Sequence, residues 1–171
     1  MFNASKIKLA MSTGLAVAGI GIAALAAGPA YAAGTTASVG VGNVLTLSGL
    51  TAAFTLSGAP ATTQTGLTAV TMNVKTNNRT GYTVTVQAAA ATMAGATTGN
   101  TDTIPVADLS VRNTATGGAY TPLSTTATIV AVTAAKSIGT GDIVSNDYQV
   151  VIPWVNADTY SVTLNYIAAN N

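Results

Sequence analysis

Beyond residue 38 the apolar residues of this chain recur at every second position in several short runs, and the three-and-four spacing of a helix is nowhere sustained. Period two puts alternate side chains on one face of an extended strand, so this spacing commits the chain to β structure. The clearest case is Leu67 to Ala88. Val70, Met72 and Val74 share one face, and Tyr82, Val84 and Val86 share another. Thr71, Asn73, Thr83, Thr85 and Gln87 take the opposite, polar side. Thr76 to Gly81 (TNNRTG) lies between them, and its asparagines and glycine tolerate the backbone of a reversal. The pattern predicts a hairpin with one wet face and one core face, as in an antiparallel sandwich.

The same reasoning predicts strands at Val41–Leu47, Phe54–Leu56, Leu109–Arg112, Thr128–Thr133, Tyr148–Ile152 and Tyr160–Ile167. Two stretches of small residues, Ala89–Asp102 and Asn113–Ala119, read as loops. No internal repeat of solenoid or propeller length is visible. The expected fold is therefore all-β, a single antiparallel β-sandwich of about seven to nine strands occupying residues 39–171.

Residues 1–32 have the layout of a secretory signal peptide, expected as a helix. Lys6 and Lys8 supply a basic start, Leu15–Ala27 an apolar run of about thirteen residues, and Gly28-Pro29 a break. The run is shorter than the roughly 20 residues that span a bilayer core. Ala30 and Ala32 offer the small side chains of a cleavage site, which places the cut between Ala32 and Ala33. An uncleaved anchor is the alternative, and the short apolar run argues against it. The mature form is thus expected to have no membrane span, to be secreted, and to begin with a flexible arm, residues 33–38. The C-terminal stretch Tyr166–Asn171 carries no sorting signal for covalent attachment to a wall.

Composition excludes chemistry more than it suggests any. The 171 residues contain no histidine and no cysteine. That removes the commonest general base, thiol nucleophiles, thiolate metal sites and disulfides. A domain of about 139 residues buries enough surface to need no covalent staples. After the leader, Lys75, Arg79, Arg112 and Lys136 stand against Asp102, Asp108, Asp142, Asp147 and Asp158. No basic stripe is available to neutralise phosphates, so nucleic acid is not an expected partner.

Three sets of residues remain to be weighed. Asp142 and Asp147, with Asn146, could hold calcium, but their spacing is not that of an EF-hand and Ile143 and Val144 interrupt it. A turn with local backbone bonds is the simpler reading, and no metal or cofactor is assigned. Glycoside chemistry needs two facing carboxyl groups; five dispersed aspartates and no glutamate do not argue for it, so no catalytic residue is assigned. Trp154 follows Pro153, which cannot donate to a ladder, so the segment is a strand end, edge or bulge. Its ring is either a plug at the mouth of the sandwich or an exposed platform for a partner.

Val74–Ala88 (VKTNNRTGYTVTVQA) together with Asp158–Tyr166 (DTYSVTLNY) resembles the WxL-like surface domains of Gram-positive bacteria and small secreted actinobacterial proteins. In that family a Trp-x-Leu follows a glycine, and a second tryptophan lies in the last strand. Tyr82-Thr83-Val84 and Leu164-Asn165-Tyr166 stand at those places, with tyrosine replacing both tryptophans. The resemblance implies a β-sandwich displayed outside the cell and held noncovalently to the wall. The expected function is that of a non-catalytic secreted or cell-surface structural and interaction protein. Its partner would be a wall polymer or another surface protein, with Tyr82, Trp154 and Tyr166 as contacts. The alternative is a fibre or coat subunit, a homo-oligomer that assembles by adding a strand to an edge.

Overall fold

The computed structural model describes residues 33–171, so the expected leader, with Ala32 before the expected cut, lies outside the described residues. Its compact unit of sandwich strands runs from Gly40 to Asn171. Eleven strands follow one another: β1 (Leu45–Ser48), β2 (Thr63–Thr76), β3 (Tyr82–Ala88), β4 (Thr92–Gly95), β5 (Thr103–Pro105), β6 (Leu109–Asn113), β7 (Thr121–Pro122), β8 (Thr128–Thr133), β9 (Asp142–Val151), β10 (Tyr160–Ser161) and β11 (Leu164–Asn170). A single 3-10 turn, Val106–Asp108, is the one helical element among the described residues. The count exceeds the expected seven to nine because β5, β7 and β10 are ladders of two or three residues.

The domain is an antiparallel β-sandwich. One sheet has the order β1-β2-β9-β6-β7, and a second has the order β11-β3-β8; a small sheet β10-β4-β5 completes the set. Every ladder is antiparallel. Val70, Met72 and Val74 of β2 and Tyr82, Val84 and Val86 of β3 are all at most 3% exposed, as their alternation requires. Val111, Val144, Tyr148 and Leu123 fill the space between them.

The expected hairpin over Leu67–Ala88 does not form. β2 pairs with β1 and β9, whereas β3 pairs with β11 and β8 in the other sheet. The turn between them carries the chain across the sandwich. Both apolar faces reach the core this way, because the two strands oppose one another face to face instead of lying side by side. Gly81 makes the crossing possible, with φ at +82° and Thr133 O 1.9 Å from where a Cβ would sit.

Three other expectations change. Phe54–Leu56 forms no ladder. Tyr160–Ile167 is divided between β10 and β11. The strand expected from Val41 begins only at Leu45, and residues 33–44 are exposed without regular structure.

An ion pair sits on the outer face of the larger sheet. Asp147 is 2% exposed, and its carboxylate accepts from Arg112 Nε at 2.9 Å, the Thr68 N–H at 2.8 Å and the Thr114 hydroxyl at 2.7 Å. Burial acts to raise its pKa, but the donated hydrogen bonds and the guanidinium outweigh burial and hold it below the usual carboxylate range. Thr68 has φ at +53° inside the register shift of β2 between Gly66 and Val70, and its bond to Asp147 holds that bulge. Asp142 and Asp147 are five residues apart on β9 and so face opposite sides of the sheet. Asp142 instead accepts from the Ile138 N–H and the Tyr82 hydroxyl, and the two carboxylates do not converge on one ion.

Candidate functional site: an open seam in the sandwich

The two main sheets each end in a strand that has no neighbour on one side, β1 in one and β11 in the other. Their outer edges meet along one seam. At one end the seam is closed by the Thr76 hydroxyl, which lies 2.8 Å from Val44 O and 2.9 Å from Asn170 Oδ1. Away from that tie the walls part. The chain beyond β1 continues as the stretch 49–58, which forms no ladder but is tied to β2 where the Thr51 N–H donates to Thr71 O at 3.0 Å, and β11 leads back toward Leu164. Between them opens a cavity of about 830 Å³, lined by Leu50, Phe54 and Leu56 on one side and by Val162, Leu164 and Tyr166 on the other.

The groove opens onto core side chains, Val70, Met93, Leu109 and Val150, and Phe54 and Tyr166 bring aromatic rings to its walls. The Phe54 ring packs on Tyr148 with centroids 4.5 Å apart, and the Tyr148 and Tyr166 hydroxyls share a hydrogen bond. Burial pushes the Tyr148 hydroxyl up to about 12, against a lowering by its bond to Tyr166. Burial likewise raises Tyr166, and the neighbouring Tyr148 adds to that. Both hydroxyls therefore stay neutral at any physiological pH, and the groove combines apolar side chains with polar ones, among them Thr51, Thr55, Asn156 and Asp158.

The β11 edge has a definite hydrogen-bonding parity. Ala89 N–H donates to Thr163 O at 2.9 Å, and Asn171 N–H donates to Gly81 O at 3.2 Å. With Leu164 opposite Ala88 and Asn170 opposite Tyr82, these two bonds set the alternation of the antiparallel ladder. The N–H and C=O groups of Leu164, Tyr166 and Ala168 consequently turn away from β3. They have no hydrogen-bond partner among the described residues. The side chains of the same three residues are half-buried toward the core, whereas Asn165, Ile167 and Ala169 are exposed.

The three aromatic residues singled out from the sequence have different fates. Tyr82 is buried, 1% exposed, with its hydroxyl on Asp142. Its place in the core-facing alternation of β3 means it meets no partner in the folded domain, and as a contact residue it is corrected. Tyr166 lines the groove. Trp154 is 89% exposed, so it is no plug. Replacing Trp154 with alanine should leave thermal unfolding unchanged to within about 0.5 kcal/mol, the scale of surface substitutions; a larger loss would show that the ring packs on the domain. Ala33 is exposed on the arm.

Sequence reasoning missed Leu50, Phe54, Leu56 and Leu164 as a group. Their alternation was legible, but which strand would be absent beside them was not. Among the described residues no group of three or more His, Cys, Asp or Glu side chains is placed to hold a metal ion. No helix among them is long and apolar enough to cross a membrane. No family model, curated protein or solved structure matches this chain.

Proposed function

We propose that this chain is an exported, non-catalytic structural and interaction protein of the cell surface, which engages its partner through the open seam between β1 and β11. The observation that carries this reading is the coincidence of an apolar groove with an unpaired main-chain edge. Proteins ordinarily cover or charge such an edge, because a row of free donors and acceptors templates pairing with another chain. Here the edge carries Leu164, Tyr166 and Ala168, with neither charge nor proline. An edge beside an apolar groove is the arrangement that captures an extended segment, with main-chain bonds giving affinity and pockets for alternate side chains giving specificity.

Other features support the same reading. A leader with a small-residue cleavage site favours export. The absence of histidine and cysteine removes the usual catalytic groups. Noncovalent retention at the wall follows from the resemblance to WxL-like domains, and the groove is a more concrete contact than the signature positions, one of which is buried.

Retention at the surface of producing cells tests this. Ala168→Pro removes an N–H that points away from β3, so pairing within the domain survives while the edge is blocked. Leu50→Lys puts a charge on the opposite wall at a residue 39% exposed. Both variants should fold, with native far-UV circular dichroism, and should lose about tenfold of the surface-bound fraction, equivalent to about 1.4 kcal/mol. Folded variants that stay fully bound would overturn the reading.

A further inference from the structure

We infer that the segment received by the seam is the N-terminal arm of a second copy of this chain, residues 33–41, so that copies join head to tail by strand addition. This rests on the proposed role of the seam and names its occupant.

The arm carries a strand pattern that its own domain leaves unused. From Ala33 the odd positions are Ala33, Thr35, Ala37, Val39 and Val41, and the even ones are Gly34, Thr36, Ser38, Gly40 and Gly42. One face of an extended arm is therefore apolar or methyl-bearing, and the other is as small as side chains allow. Val39 and Val41 are nevertheless 90% and 82% exposed. Strand periodicity with no ladder, at two valines in open solvent, calls for a partner strand outside the subunit.

The arm matches the groove in length and size. Nine extended residues reach about 30 Å, more than enough to cross the open part of the seam, which β11 lines with Leu164 and Tyr166. Seated on β11, the arm would pair with the outward groups of Leu164, Tyr166 and Ala168. Val39 and Val41 would then enter the apolar space between Phe54, Leu56 and Leu164, with the glycines and Ser38 outward. The arm carries no charge, and Asp158 is the one charged residue that lines the groove.

A chain's own arm is poorly placed to fill its own groove. Asn77 Nδ2 donates to Gly42 O at 2.6 Å, and the Val44 N–H donates to Asn77 Oδ1 at 2.8 Å. These bonds clamp residues 42–44 at the closed end of the seam, beside Asn170. From there β1 runs forward along the seam, so an arm extended backward from the clamp leaves it. Entry into the same groove would need a full reversal within Gly40 and Val41. An arm that leaves one seam and fits another is a head-to-tail contact, which propagates unless the rotation closes a ring.

The test uses the chain from Ala33 to Asn171, the double substitution Val39→Asp with Val41→Asp, and the edge-blocked Ala168→Pro. The parent should form rings or filaments, seen by negative stain and as a mass that rises with concentration in light scattering. Each variant alone should stay monomeric, with association at least tenfold weaker. Mixed, they should form one-to-one dimers, because the aspartate variant still accepts and the proline variant still donates. A synthetic peptide of residues 33–44 should bind the aspartate variant and not the proline variant. A monomeric parent, oligomers that survive both changes, or a mixture that does not pair would each overturn the inference. If the aspartate variant keeps full surface retention while Ala168→Pro loses it, the seam takes a strand from a different protein; that result overturns the self-assembly and leaves the interaction role of the seam intact.

Discussion

Asp147→Ala should lower the stability of the domain by about 3 kcal/mol, or roughly 10 °C in Tm for a domain of this size. Breaking a buried ion pair by removing one partner costs about 3–5 kcal/mol. The low end applies here because the side chain of Arg112 is 28% exposed and can return to water. The Thr68 N–H also loses its acceptor, inside a bulge where the residue already sits at φ +53°. The Thr114 hydroxyl is left in the same position. Asp147→Asn separates the contributions. It keeps Oδ1 for Thr68 and Thr114 but turns the amide NH2, a donor, toward Arg112 Nε–H, so the charge and the ion-pair hydrogen bond are lost together at a cost of about 2 kcal/mol, still below that of alanine. Chemical denaturation of both variants checks this, and equal losses would mean that the charge, and not the bulge contact, carries the effect.

The same residue sets a pH dependence. The folded-state pKa of Asp147 lies below its unfolded value, so its contribution is complete above about pH 5 and is lost as pH falls through the folded value. Asp158 behaves alike. Hydrogen bonds from Asn100 Nδ2 and the Thr97 N–H lower it most, and the Thr159 N–H and Thr97 hydroxyl add to them. Tm should therefore fall between pH 5 and pH 2 by less in Asp147→Asn than in the parent, without becoming flat, because Asp158 remains.

Gly81→Ala should cost about 3 kcal/mol. Part is the positive φ of +82°, about 1–2 kcal/mol for a residue with a Cβ. The rest is steric. The new Cβ would lie 1.9 Å from Thr133 O, 2.6 Å from Thr133 C and 2.7 Å from Ala135 N. All three atoms are main chain and cannot rotate aside, so the end of β8 must move off β3 where Tyr82 pairs with Thr133. Gly118→Ala is the control: φ is +88° and nothing lies within 4 Å of its added Cβ. It should lose only the conformational part. If both variants unfold at the same denaturant concentration, the close approach of β8 is not what requires glycine at position 81.

Period-two patterning reported the face of each strand reliably. Val70, Met72, Val74, Tyr82, Val84 and Val86 are buried because alternation specifies which side of a strand is apolar. It did not report pairing. The Thr76–Gly81 turn reads equally well as a hairpin loop or as a crossing between sheets, since both bring two apolar faces to one core. Ala89–Asp102 was expected as a loop and contains β4, whose Met93 is buried against Ile104 of β5 across a short ladder. Single apolar residues in a run of alanines and threonines give too little periodic signal for either strand to stand out.

The seam was half legible. The arm and its valines are plain in the sequence, as are the apolar residues of Phe54–Leu56 and Leu164–Tyr166. That these two stretches form facing walls depends on β1 and β11 ending different sheets on the same side, a fact of strand order that local pattern does not encode. Tyr82 and Tyr166 show the same division. Both occupy apolar positions of alternating strands, and by sequence they are equivalent. β3 is the central strand of its sheet and β11 the edge, so Tyr82 is sealed in the core while Tyr166 lines a groove. The sequence by itself determined that residues 39–171 are strands, which face of each is apolar, and that no histidine or cysteine is present, because these follow from residue type and a repeat of two. Only the tertiary structure decided which strands are neighbours and which edge stays open, because those depend on contacts between residues far apart in the chain, such as Thr76 with Asn170.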